Sequence, residues 1–217
     1  EDKEIFYKNI INKNIETDVL PGSGVNLNHF QKAQMPKNKN FKFLLISRML
    51  WNKGIGEFVK AARILSKEYK NIEFCLLGFT DIQNPLCINK KTIDEWVAEG
   101  VINYLGETDD VREEIREADC VVLPSYYREG TPKSLLEAAS MGRPIITTDN
   151  VGCRDVVDDN INGFLCEPRN EHDLAEKMKK MINMTSKEII EMGKHSRKKA
   201  ENQFDEEIVK YKYIECI

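Results

Sequence analysis

Two glutamates, Glu129 and Glu137, frame the segment Glu129-Gly-Thr-Pro-Lys-Ser-Leu-Leu-Glu137, whose residue types suit capture of a phosphorylated, hydroxyl-rich ligand. Thr131 can cap a helix, and Pro132 fits the first turn, where its missing N–H costs nothing. The amides of Gly130, Lys133 and Ser134 would then face outward at the positive end of the helix dipole, a ready phosphate site. Gly130 lets a ligand approach the backbone closely. A carboxylate on either side accepts hydrogen bonds from paired hydroxyls, as on a ribose or a hexose. Either glutamate alone reads as ordinary helix surface. Together, around a Gly-Thr-Pro helix start that follows an apolar run, they are specific.

A second constellation is Ser47-Arg-Met-Leu-Trp-Asn-Lys-Gly54. Arg48 offers a planar fork and Lys53 a compact charge, a pair suited to a diphosphate. The competing reading is plain surface charge in a strand–helix loop. Other positions carry less. Gly78 follows an apolar run, where a turn alone would account for it. The backbone of Tyr104-Leu105-Gly106 could read a base edge or simply end a strand. Gly152 is expected to open a helix near the sugar or phosphate. The adjacent acids Asp109-Asp110 and Asp158-Asp159 read as solvated loops, and His29, His172 and His195 as incidental.

These residues need a scaffold, and the apolar pattern supplies one. Strand-like runs fall at Phe41–Ser47, Ile72–Leu77, Val101–Leu105, Cys120–Leu123 and Pro144–Thr148. Helical spacing fills Gly56–Lys70, Lys91–Glu99, Val111–Glu117 and Ser134–Met141 between them. Five strands alternating with helices predict an α/β fold, a doubly wound parallel sheet. Ligands bind such sheets at the carboxyl ends of the strands. The loops Arg48–Lys53, Gly78–Asp81, Gly106–Asp109, Ser125–Thr131 and Asp149–Arg154 are therefore where function is expected. Glu1–Ile11 reads as a helical remnant and Thr17–Leu20 as a short strand. Polar Lys32–Asn40 reads as a linker, and Glu171–Ile217 as helices with solvated charge.

Composition narrows the class. The 217 residues carry 32 Lys and Arg against 36 Asp and Glu, a net charge of −4 that argues against nucleic acid as the partner. The six cysteines form no Cys-x-x-Cys pair and have no histidine at metal-ligand spacing, so they read as buried free thiols in a reducing compartment. No apolar run approaches the ~20 residues of a membrane span, and a cytoplasmic setting is expected.

Three segments together resemble a known family. They are Arg48-x4-Lys53-Gly54, Glu129-x7-Glu137 within REGTPKSLLEAASMGRPIITTD, and Asn162-Gly-Phe-Leu165 followed by Pro168. They are similar to the C-terminal domain of family 4 retaining glycosyltransferases, and the likeness runs from about Thr17 to the chain end. The resemblance implies a Rossmann-like domain of the GT-B fold with C-terminal helices. Residues 1–30 would be the remnant of an N-terminal acceptor domain and the junction, 31–40 a linker, 41–204 the nucleotide-sugar domain and 205–217 a last helix. Ser47 stands where the family usually has Gly. Gly22-Ser-Gly-Val-Asn26 resembles the family's interdomain junction.

The resemblance further implies roles. Arg48 and Lys53 would bind the donor diphosphate, and Glu129, as the catalytic carboxylate, would contact hydroxyls of the transferred sugar. Gly130, Thr131, Pro132, Lys133 and Ser134 would line the sugar and phosphate, and Glu137 would bind the ribose. Gly78 and Leu105 would belong to the donor site. Transfer would keep the anomeric configuration and use no metal or other cofactor. Segments such as RMLWNKGIGEFVKAAR are similar to bacterial enzymes of lipid-linked oligosaccharide or surface polysaccharide synthesis, several of which use UDP-sugars. That implies a UDP-sugar donor, a hexosyl or N-acetylhexosaminyl group, and a glycan or lipid-linked acceptor reached through a missing domain. Membrane contact would be peripheral and confined to the full-length enzyme, while the fragment alone would transfer weakly. A GT-B sugar-nucleotide epimerase and a non-catalytic nucleotide-sugar module are the alternatives.

Overall fold

The computed structural model describes residues 20, 22–80 and 83–215. The expected helix at Glu1–Ile11 and nearly all of the strand at Thr17–Leu20 lie outside the described residues. Six parallel strands form the sheet: β1 (Phe41–Ile46), β2 (Ile72–Leu77), β3 (Asn103–Tyr104), β4 (Cys120–Leu123), β5 (Ile145–Thr148) and β6 (Gly163–Cys166). Their order is β3-β2-β1-β4-β5-β6, so the direction of winding reverses between β1 and β4. At such a switch point the two adjoining loops diverge to opposite faces and leave a crevice. The chain therefore has the doubly wound α/β fold that the alternation of runs predicts.

Helices α1 (Ile55–Glu68), α2 (Lys90–Ala98) and α5 (Glu171–Ile182) bury their apolar stripes on one face, against Phe43, Leu45, Phe74 and Leu76. On the other face α3 (Arg112–Arg116) and α4 (Lys133–Ser140) cover Leu44, Val121, Leu123 and Ile145, while α6 (Ser186–Gln203) gives Ala200 to this core and Ile189 and Met192 to the first. Successive strand residues point to opposite faces, which is why Phe43 and Leu45 join one core and Leu44 the other. In α1 the buried Ile55, Phe58, Val59, Ala62 and Leu65 recur at helical spacing. Thr185 and Glu188 close a capping box at the start of α6, and Asn170 caps α5 through the amides of His172 and Asp173. A last helix, α7 (Glu206–Glu215), follows Phe204, whose carbonyl accepts from Val25 N–H at 2.7 Å.

Several sequence expectations are corrected. Gly163–Cys166 is a sixth strand, which the apolar runs did not reveal because Asn160–Leu165 breaks its three apolar residues with Asn162 and Gly163. The run at Val101–Leu105 pairs over two residues only. Thr131 does not cap α4: Pro132 occupies the cap position in an extended conformation, with no side-chain cap, and the helix starts at Lys133. Gly152 opens no helix either. It takes a left-handed φ of +78°, followed by a single 3-10 turn at Arg154–Val156.

The segment around residues 31–40 has no regular structure, yet it is tied to the domain. Arg143, fully buried, donates to the carbonyls of Gln34 (2.7 Å), Ile115 (2.9 Å) and Arg116 (3.0 Å). Burial pulls its guanidinium down to about 10, against the opposing attraction of Asp119 and Glu117. The carbonyls it satisfies include those at the open end of α3, where a cation also complements the helix dipole.

Candidate functional site

The switch point between β1 and β4 holds a cavity of about 340 Å³. Ser47, Arg48 and Lys53 reach it from the loop after β1, Gly78 and Phe79 from the loop after β2, and Glu129, Pro132, Lys133 and Ser134 from the loop and helix after β4. Most of the residues expected to bind a donor are thus brought to one place, although they come from three separate loops. Leu135 N–H bonds the Pro132 carbonyl at 3.1 Å, so the amides of Lys133 and Ser134 have no acceptor within α4. They lie at the positive end of the helix, beside two lysines and an arginine, an arrangement chemically suited to an anion.

Glu129 is held from two sides. Lys53 Nζ forms an ion pair with its Oε1, with side chains only 14% and 11% exposed. Ser125 Oγ lies 2.8 Å from the same oxygen. Ser125 is fully buried, and its loop is fastened in turn: the Asn52 carbonyl accepts from the amides of Tyr126 (3.1 Å) and Tyr127 (3.2 Å). The buried hydroxyls of Thr147 and Thr148 donate to the carbonyls of Leu123 (2.7 Å) and Ser125 (2.5 Å). These two threonines read in the sequence as strand residues; in the structure they satisfy the carbonyls exposed where β4 leaves the sheet.

Two glycines show why the crevice has this shape. A Cβ on Gly78, whose φ is +140°, would stand 1.9 Å from the Ser47 carbonyl. The loops after β1 and β2 could not then approach. A Cβ on Gly152 would stand 2.1 Å from the Gly130 carbonyl and 2.6 Å from that of Glu129, so the backbone of the glutamate loop rests directly on Gly152. Gly130 is different. Its φ is not positive, and an added Cβ would meet nothing within 4 Å.

Glu137 lies one turn into α4 from Lys133 and lines a smaller cavity of about 210 Å³, with Ser23, Asn26, Phe30, Lys133 and Glu206. Lys133 borders both cavities. Burial raises the Glu137 carboxyl to about 7, with Lys133 pulling the other way. Leu105 does not line the larger cavity. It is 44% exposed, its amide bonds the Leu76 carbonyl at 2.8 Å, and Glu107 and Thr108 of the next turn stand at the cavity instead. Gly130 and Thr131 sit beside the cavity lining rather than in it.

Phe79, Glu107, Thr108 and Val111 were not singled out in the sequence, although all but Val111 fall in loops that follow strands. Ser125 was placed only as a loop residue, and nothing in its neighbourhood revealed that it would bond Glu129. The adjacent acids are engaged locally: Asp110 pairs with Arg112, which holds its carboxyl well below the usual range, and Asp158 pairs with Lys199. Cys75, Cys87, Cys120, Cys153 and Cys166 are free thiols, all but Cys87 buried. Among the described residues no group of three or more His, Cys, Asp or Glu could hold a metal ion. Nor is any described helix long and apolar enough to cross a membrane.

A family model described as "Glycosyl transferases group 1" matches residues 28–203. The chain belongs to this family. It is 32% identical over 221 residues to N,N'-diacetylbacillosaminyl-diphospho-undecaprenol alpha-1,3-N-acetylgalactosaminyltransferase of Campylobacter jejuni, an alignment covering 96% of the chain and 56% of that relative. It is 27% identical over 218 residues to UDP-Gal:alpha-D-GlcNAc-diphosphoundecaprenol alpha-1,3-galactosyltransferase of Escherichia coli, covering 94% of the chain and 54% of the relative. Among solved structures it is similar to sucrose-phosphate synthase from Thermosynechococcus elongatus, with a TM-score of 0.82, 22% identity, and coverage of 99% of this chain and 55% of that one. The fold is that of the C-terminal domain of GT-B glycosyltransferases. The chain spans about half the length of the curated relatives it matches.

Proposed function

We propose that this group 1 chain is the donor-binding part of a retaining glycosyltransferase that moves a hexosyl or N-acetylhexosaminyl group from a UDP-sugar to a glycan or lipid-linked acceptor. The observation that carries the proposal is the convergence of Arg48, Lys53, Lys133 and the first amides of α4 on one cavity that also holds Glu129. Three cationic side chains and a helix start are the equipment for a diphosphate. A carboxylate beside them suits the hydroxyls of the attached sugar. Two relatives support the base and the acceptor class: one is a UDP-Gal-dependent transferase, and both are named for diphospho-undecaprenol-linked sugars.

As the bond from the sugar's C1 to the diphosphate breaks, C1 gains oxocarbenium character and the leaving diphosphate gains negative charge. Arg48, Lys53 and the first α4 amides line the cavity where that charge develops and would stabilise it electrostatically, without a metal. Glu129 orients the transferred sugar. Lys133 bridges toward the ribose, which reaches Glu137 about one helical turn away. The acceptor is bound by a partner domain of the full-length enzyme, working in the cytoplasm at the inner face of the membrane.

Calorimetric titration of the chain with UDP, GDP, ADP and dTDP tests this reading. UDP is expected to bind most tightly, and Arg48→Ala or Glu137→Ala to weaken it by roughly tenfold, the equivalent of about 1.4 kcal/mol. Unchanged UDP affinity in both variants would reject the site.

A further inference from the structure

Lys53 has two anionic claimants. In the structure it is paired with Glu129, at a place where both side chains are nearly closed off from water. In the donor-site reading above, on which this inference rests, the same ammonium binds a diphosphate. It cannot serve both fully, because each contact uses the same compact charge. The surroundings decide which partner gives way. Glu129 has a second hold: Ser125 Oγ lies 2.8 Å from its Oε1 and 3.2 Å from the Asn52 carbonyl, and its single proton is donated over the shorter distance, to the carboxylate. The backbone of Glu129 and Gly130 is seated on Gly152, so closely that a Cβ there would meet both carbonyls. Lys53 is the mobile party, a flexible stem whose ammonium lies 5.4 Å from the centre of the Tyr127 ring.

We propose that Lys53 is a donor-gated latch: without ligand it pairs with Glu129, and an incoming diphosphate draws it away, leaving Glu129 held by Ser125 and open to the sugar hydroxyls. Binding of the diphosphate and unmasking of the sugar-reading carboxylate are then one event. A nucleoside diphosphate without its sugar pays the full cost of breaking the pair, while a nucleotide-sugar recovers part of that cost through Glu129.

The test is UDP affinity, by calorimetry, in the parent, Glu129→Gln, Lys53→Met and the double variant, with uridine as the phosphate-free control. The latch requires Glu129→Gln to bind UDP about tenfold tighter than the parent, with uridine affinity unchanged, and requires that gain to fall below about twofold when Lys53 is already Met. An equal gain in both backgrounds would mean simple repulsion between Glu129 and phosphate, and would overturn the latch. So would no gain at all, or a matching gain for uridine. If the parent binds none of the nucleoside diphosphates, the donor-site reading itself falls and the latch with it; if it binds UDP and the gain is absent, only the latch falls.

Discussion

Glu129 and Glu137 are the same residue type, eight positions apart, and the protein treats them in opposite ways. Glu129 sits in a loop, but Lys53 and Ser125 close around it, so its charge is matched where it is dry. Glu137 sits in a regular helix among Leu135, Leu136, Ala138 and Ala139, and among the described residues no hydrogen bond or ion pair reaches its carboxylate. Its charge is opposed by burial instead. The difference teaches that a carboxylate's surroundings here follow from whether a cation from another loop reaches it, as Lys53 reaches Glu129, and not from whether it sits in a helix or a loop.

The largest expected effect would break the frame around Glu129. Gly152→Ala should cost about 3 kcal/mol in urea unfolding, since the new Cβ meets two carbonyls at a left-handed φ. Gly130→Ala, one contact away, should stay within about 0.5 kcal/mol of the parent in stability, because its added Cβ would meet nothing within 4 Å. Equal stability losses in the two variants would show that the loop is not seated on Gly152.

Next comes the pair itself. Lys53→Met leaves a nearly buried carboxylate without its counter-charge and should lose about 1–2 kcal/mol of stability, most of which Glu129→Gln should restore in the double variant. Chemical denaturation of all four proteins gives the coupling directly, and additive losses would contradict the pairing.

Glu137 should behave in the reverse sense. Its folded carboxyl is raised to about 7 from a usual 4.5, so the native state holds a proton that the unfolded state has released across that window. Stability contributed by the protonated form is present at low pH and is lost as pH rises toward and through about 7. Between pH 5 and pH 8, Glu137→Gln should gain about 1–2 kcal/mol relative to the parent, a figure reduced for the residual solvent around a half-buried group. A flat difference across that range would refute the account. The smallest effect provides the baseline: Arg63→Ala at the Arg63–Glu99 pair, 39% and 45% exposed, should change stability by less than about 0.5 kcal/mol.

Much of this site was legible before the fold. Arg48, Lys53, Glu129, Lys133, Ser134 and Glu137 could be named because their types and spacing suit a diphosphate and hydroxyls, and because strand–helix alternation says where the strands' carboxyl ends fall. Residues whose roles depend on distant partners were not legible. Ser125 reaches Glu129 only because Thr148 and Asn52 fix its loop, and Leu105 leaves the cavity to Glu107 because β3 is two residues long. The sixth strand was missed for a related reason: Gly163–Cys166 has little pattern of its own and becomes a strand by pairing with β5.

The amino-acid sequence by itself determined the alternation of strands and helices, hence the doubly wound sheet, and the residue types gathered after β1 and β4. Both follow from local periodicity and side-chain chemistry, which do not need a partner to be read. Only the tertiary structure decided that Lys53 neutralises Glu129 while Glu137 is left to burial. Charge state depends on distances of a few ångströms between residues far apart in the chain, and no spacing along the sequence contains them.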